Sequence, residues 1–147
     1  MDVYVDADGC PVVDITVRVC KDMGVPCLLF CDTAHQMNRE GAQTLVFDKG
    51  ADSVDLAIAG RVQSGDGVIT QDYGLAAMCL SKGAWVLHQD GWFYTQDNID
   101  ALLFQRYESK RYRMSGGRIK GPRKRTNSQN NSFEQALTAK LQQSVQG

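Results

Sequence analysis

Aspartates dominate the residues that could do chemistry. Asp6-Ala7-Asp8 follows the apolar run Val3-Tyr4-Val5, Asp52 and Asp55 stand three apart, and Thr70-Gln71-Asp72 follows Val68-Ile69. Carboxylates are the hard oxygen ligands of Mg2+ and Mn2+, which take a few of them and complete their shell with water and substrate phosphate. If the three segments met, they would repel. Two unit charges 4 Å apart cost about 4 kcal/mol at an effective dielectric of 20, so such a cluster calls for a cation. Metal held this way activates water and steadies the oxygens in displacement at phosphorus. Taken singly, each aspartate also has a plain use: Asp52 or Asp72 as a helix N-cap, Asp8 as a turn residue bonding backbone amides.

The other reactive side chains point elsewhere. Cys27, Cys31 and His35 lie at four-residue intervals, but structural zinc takes four ligands and no second Cys/His pair stands at ligand spacing. The five cysteines, odd in number and scattered through apolar stretches, read as buried thiols, which fits a reducing compartment. Cys10 lies near an expected helix N-terminus, which lowers a thiol pKa, yet no histidine neighbours it and packing is its expected role. His35 and His88 read as surface or packing residues.

Carboxylates far apart along the chain need a scaffold to bring them together, and the apolar pattern predicts one. Short strands at Val3–Val5, Cys27–Cys31, Thr44–Phe47, Val68–Thr70 and Trp85–Leu87 alternate with helical stretches. The first helix is expected from Pro11 at its first position to about Met23, with Gly24 as its stop. The second opens at Lys49-Gly50-Ala51-Asp52 and carries Val54, Ile58 and Val62 as a stripe; a third covers about Leu75–Ser81. Repeated βα units imply a parallel sheet covered by helices, one α/β domain over residues 1–147. In such sheets ligands bind at the carboxyl ends of strands, where Asp6 and Asp72 fall. Beyond Gly91 the pattern predicts a helix over Asn98–Tyr107, a basic loop or arm over 110–132, and an amphipathic helix over 133–145 that docks through Phe133, Leu137 and Leu141.

These motifs resemble a known family. Asp6-Ala7-Asp8-Gly9-Cys10-Pro11-Val12 is similar to the opening motif of the YaiI/YqxD family of bacterial proteins. Gly50–Asp55, Gly65–Asp72, Leu80–Ala84, Tyr94–Ile99 and Gly121-Pro122 follow in that family's order. The resemblance implies a PIN-like, three-layer Rossmannoid fold with an acidic metal pocket. It assigns the strand-end aspartate to Asp6, the acid opening the central helix to Asp55 and the Thr-x-Asp element to Thr70 and Asp72, with Asp8 and Asp52 as further metal ligands. The chain departs from the family pattern at Gly9, at His88-Gln89-Asp90-Gly91 and at Arg123-Lys124-Arg125-Thr126, and the last change makes the arm more basic.

The charge is divided. Net charge is −1, yet residues 1–109 hold 16 of the 17 acids, while 9 of the 16 bases lie in 110–147. Lys110, Arg111, Arg113, Arg118, Lys120, Arg123, Lys124 and Arg125 form a run without an acid, with Tyr107 and Tyr112 as stacking groups. Two readings stand side by side: contact with nucleic-acid phosphates, or a solvated loop or arm pairing with the acidic body of a neighbouring subunit in a homo-oligomer. The N-terminus has neither the basic nor the apolar region of a signal peptide, and no apolar run reaches membrane-spanning length, so the expected location is cytoplasmic.

Three functions follow as expectations. The first is a Mg2+- or Mn2+-dependent PIN-like nuclease acting on RNA or other nucleic acid, with Asp6, Asp55, Asp72 and Thr70 in the catalytic site. The second is a haloacid-dehalogenase-type phosphatase in which Asp6 attacks phosphorus and Asp8 is the acid/base. The third is a non-catalytic nucleic-acid-binding module.

Overall fold

The computed structural model describes residues 1–48, 53–117 and 124–146. Five strands, β1 (Val3–Asp6), β2 (Cys27–Asp32), β3 (Gln43–Phe47), β4 (Gly67–Ile69) and β5 (Trp85–Leu87), form one parallel sheet in the order β3-β2-β1-β4-β5. Among the described residues five helices accompany it: α1 (Val13–Met23), α2 (Ser53–Arg61), α3 (Tyr73–Ser81), α4 (Gln96–Met114) and α5 (Asn127–Gln146).

Alternation along the strands divides the core into two layers. Val3, Val5, Leu29, Ile69 and Leu87 join Val13, Val17 and Cys20 of α1 and Phe133, Leu137 and Leu141 of α5. Tyr4, Phe30, Val68 and Val86 face the other way, onto Ile58 of α2, Leu75 and Cys79 of α3 and Ile99 of α4. The architecture is therefore a three-layer, Rossmann-like α/β sandwich. Phe133, Leu137 and Leu141 are each 0% exposed, as the amphipathic pattern predicts, and each such burial contributes about 1.5–3 kcal/mol. Arg18 of α1 pairs with Glu134 of α5 at 2.5 Å across the outside of this contact.

Helix boundaries differ from expectation in three places. α1 starts at Val13, because Pro11 belongs to the preceding turn, where its fixed φ is equally at home. Gly24 does close that helix, in the left-handed region at φ 68°, with its N–H on the Lys21 carbonyl.

The basic segment is not a loop throughout. α4 runs on to Met114, so Lys110, Arg111 and Arg113 are helical, consistent with the good helix propensity of Lys and Arg. α5 opens at Asn127, six residues before Phe133, with the Thr126 N–H donating to Gln129 Oε1 at 2.8 Å. The expected start of the second helix at residues 49–52 lies outside the described residues; α2 is described from Ser53.

Candidate active site

The strand order reverses between β1 and β4. From β1 the chain builds outward through β2 to β3, and from β4 to β5 on the other side, which opens a crevice at the carboxyl ends of β1 and β4. Asp6 is the last residue of β1 and Thr70 the first after β4, so this topology sets them side by side. Thr70 Oγ1 donates to Asp6 Oδ2 at 2.9 Å and accepts the Asp72 backbone N–H at 3.0 Å. The hydroxyl of buried Tyr94 donates to the Thr70 carbonyl at 3.3 Å, fixing the loop from the helix side of the sheet.

Asp72 also caps α3. Its Oδ1 accepts the backbone N–H groups of Gly74 at 2.8 Å and Leu75 at 3.1 Å, which holds its side chain in one orientation. The capping use expected of Asp72 is met here. Asp55 stands half-buried in the first turn of α2. It shares with Asp72 a cleft of about 410 Å3 that is also lined by Leu56, Met78 and Arg106. A cleft of about 350 Å3 is lined by Asp6, Gln71, Asp72, Tyr73 and Arg106. Asp55 thus lines one cleft with Asp72 and Asp6 lines the other with it, so Asp72 stands between the two. Asp52 lies outside the described residues.

Burial and neighbouring acids both act on Asp6. Burial pushes the Asp6 carboxyl up to about 6, and the charges of Asp72 and Asp8 push the same way against the Thr70 hydrogen bond. A positive ion would remove this penalty. Other acids are already spent: buried Asp66 accepts the Asp2 N–H at 3.0 Å and the Gln63 N–H at 2.9 Å, at the amino end of β4.

Asp8 is engaged beside this group. Its carboxylate accepts the Asp32 N–H at 3.2 Å, and His35 Nδ1 lies 3.7 Å from its Oδ1 and 2.8 Å from Asp32 Oδ1. Asp8, Asp32 and His35 offer ligand atoms within 4.8 Å of one another. Asp32 escaped the sequence reading, although it ends β2 just as Asp6 ends β1. Cys27 and Cys31 point into the core while His35 is exposed, so these three do not assemble. Burial pushes the Cys10 thiol up to about 11, contrary to the lowering expected from a helix N-terminus.

The basic residues have different fates. Lys110, Arg111, Arg113 and Lys124 are exposed; Arg111 is 3.7 Å from Glu108 and lies over the Tyr107 ring. Arg125 is engaged internally. It is 20% exposed, with bonds from Nη1 to Asp90 Oδ1 at 2.7 Å, from Nη2 to the Gln89 carbonyl at 2.6 Å and from Nε to Asn130 Oδ1 at 2.7 Å. This ties the turn after β5 to the start of α5, where a Cβ at Gly91 would come within 2.6 Å of the Ser132 backbone. His88, a packing residue as expected, stacks on Trp92 with centroids 4.3 Å apart. Arg118, Lys120 and Arg123 lie outside the described residues. Among the described residues, no helix is long and apolar enough to cross a membrane.

Relatives match nearly the whole chain. A UPF0178 protein of Exiguobacterium sibiricum is 48% identical over 141 residues, 96% of each chain. One from Clostridium acetobutylicum is 46% identical over 139 residues, 93% of this chain and 94% of the relative. One from Enterococcus faecalis is 40% identical over 148 residues, covering 99% and 100%. The family described as uncharacterized BCR, YaiI/YqxD, matches residues 4–143, a span that includes every residue of the site. The chain belongs to the YaiI/YqxD family.

Proposed function

We propose that this protein is a PIN-like, metal-dependent nuclease acting on RNA or other nucleic acid. The observation that carries this reading is the bridge Asp6–Thr70–Asp72 at the switch point, with Asp55 facing the same cleft as Asp72. The donor set is all oxygen and mostly carboxylate, the chemistry of Mg2+ or Mn2+. Asp6, Asp72 and Asp55 would hold the ion. When bound, it supplies positive charge to phosphoryl oxygens and acidity to water. Thr70 keeps Asp6 and Asp72 in fixed relation, and the α3 cap keeps Asp72 from rotating away. The exposed bases Lys110, Arg113 and Lys124 favour an anionic polymer as substrate.

The phosphatase reading rests on the Asp6-x-Asp8 spacing at the end of β1. Its acid/base would be Asp8, which is committed to the Asp32 amide and the His35 ring, and this favours the nuclease. Single-stranded RNA incubated with Mn2+ tests the choice. Cleavage that is lost in chelator and in Asp72→Ala supports the nuclease; a beryllofluoride adduct on Asp6 would support the phosphatase. Salt-sensitive RNA binding without cleavage would mark a binding module.

A further inference from the structure

Arg106 lines both clefts, and among the described residues only Asp72 shares that position with it. It comes from α4, outside the strand-end motifs. Its Nη1 stands 4.0 Å from Asp72 Oδ1, beyond hydrogen-bond length, and that oxygen is already engaged by two backbone amides. Among the described residues no hydrogen bond uses the Arg106 guanidinium, and the side chain is 61% exposed. Its donors are available at the mouths of two clefts, one lined also by Asp55 and Asp72, the other by Asp6 and Asp72.

An acidic pocket repels an anionic substrate. A guanidinium at its rim offers a planar pair of donors matched to two phosphate oxygens. Lys110 and Arg113 follow at four and seven positions, on the same face of α4. They stand about 6 and 10 Å further along the helix axis at the usual rise per residue. Both are exposed, and among the described residues neither has an ion-pair partner, whereas Arg111, on another face, is paired with Glu108.

We infer that Arg106 grips the phosphodiester at the carboxylate cleft and that Lys110 and Arg113 hold the following phosphates, so that the substrate is a polynucleotide strand lying along α4. The inference rests on the proposed nuclease reading and deepens it by naming a further substrate-binding residue and the path of the strand.

The test is binding of fluorescein-labelled single-stranded RNA of about 12 nucleotides, in chelator, from roughly 50 to 200 mM salt. Arg106→Ala should weaken binding about tenfold, the loss expected for one charged hydrogen-bonded contact, and lower the slope of log K against log salt by about 0.7. Lys110→Ala with Arg113→Ala should lower it by about twice that, with the melting temperature unchanged in each case. Arg106→Lys should restore the slope. A dinucleotide should bind far more weakly than the longer strand.

Unchanged affinity and slope in Arg106→Ala would overturn the inference alone. The same result with tighter Mn2+ binding would identify Arg106 as a counter-ion of Asp72. Equal binding of dinucleotide and longer strand would remove the row on α4. Failure of the wild-type protein to bind RNA at all would take down both this inference and the nuclease reading.

Discussion

Asp6 and Asp72, 66 positions apart in number, are joined through one hydroxyl: Thr70 donates to Asp6 Oδ2 at 2.9 Å while accepting the Asp72 N–H at 3.0 Å. A single side chain thus ties one carboxylate to the backbone that carries the other and partly offsets the burial of the first. Removing it should be felt in both. Thr70→Val is expected to cost about 1–3 kcal/mol, because a half-buried carboxylate and an amide lose their partner. It should also raise the Asp6 carboxyl further, moving the pH midpoint of Mn2+ binding upward. Thr70→Ser, which keeps the hydroxyl, should stay near wild type in both denaturation and Mn2+ titration.

Stability of the chelator-treated protein should depend on Asp6 with a definite sign. Its folded pKa of about 6 lies above the ordinary carboxylate value, so the folded state holds this proton more tightly than the unfolded chain does. The contribution is fully present below about pH 4 and is lost as pH rises through 6. Asp6→Asn should therefore be more stable than wild type at pH 8, by about 1–3 kcal/mol, and the difference should vanish near pH 4. Urea unfolding at the two pH values reads it directly; a destabilised variant at pH 8 would contradict the burial argument.

Asp72 caps α3, and substitution can separate that cap from its proposed part in holding metal. Asn is as good an N-cap as Asp, so Asp72→Asn should keep α3 intact while losing the charge needed for metal. Asp72→Ala should lose both, with about 1 kcal/mol of stability gone. Equal loss of metal-dependent cleavage in the two variants, with unequal melting temperatures, is the expected pattern.

Arg125 stands in a basic run but acts as a clamp between the turn after β5 and α5. Arg125→Ala should destabilise by about 1–3 kcal/mol and leave the salt dependence of RNA binding unchanged. Lys124→Ala, at an exposed neighbour, should leave stability unchanged.

Much of this arrangement was legible from residue pattern. Alternating strands and helices placed Asp6 and Asp72 at strand ends, and the apolar repeat of Phe133, Leu137 and Leu141 marked a docked helix. The order of strands was not legible, and that order makes Asp6 and Thr70 neighbours. Asp32 was missed because only the pairing of β2 with β1 brings it to Asp8. Arg106 was missed because its place depends on how α4 packs against α3, a long-range choice that local sequence does not encode. The early start of α5 did carry a local sign, the spacing Thr126-x-x-Gln129, obscured by the Asn- and Ser-rich stretch after it. The length of α4 was hidden by its charge, since a run of Lys and Arg reads equally as a solvated loop or a solvated helix.

Anomalous diffraction from crystals soaked in Mn2+ asks most directly whether the switch-point carboxylates chelate. A peak bounded by Asp6, Asp55 and Asp72 that disappears in Asp72→Asn is the expected result. Density confined to Asp8, Asp32 and His35, or none at either place, would contradict the account.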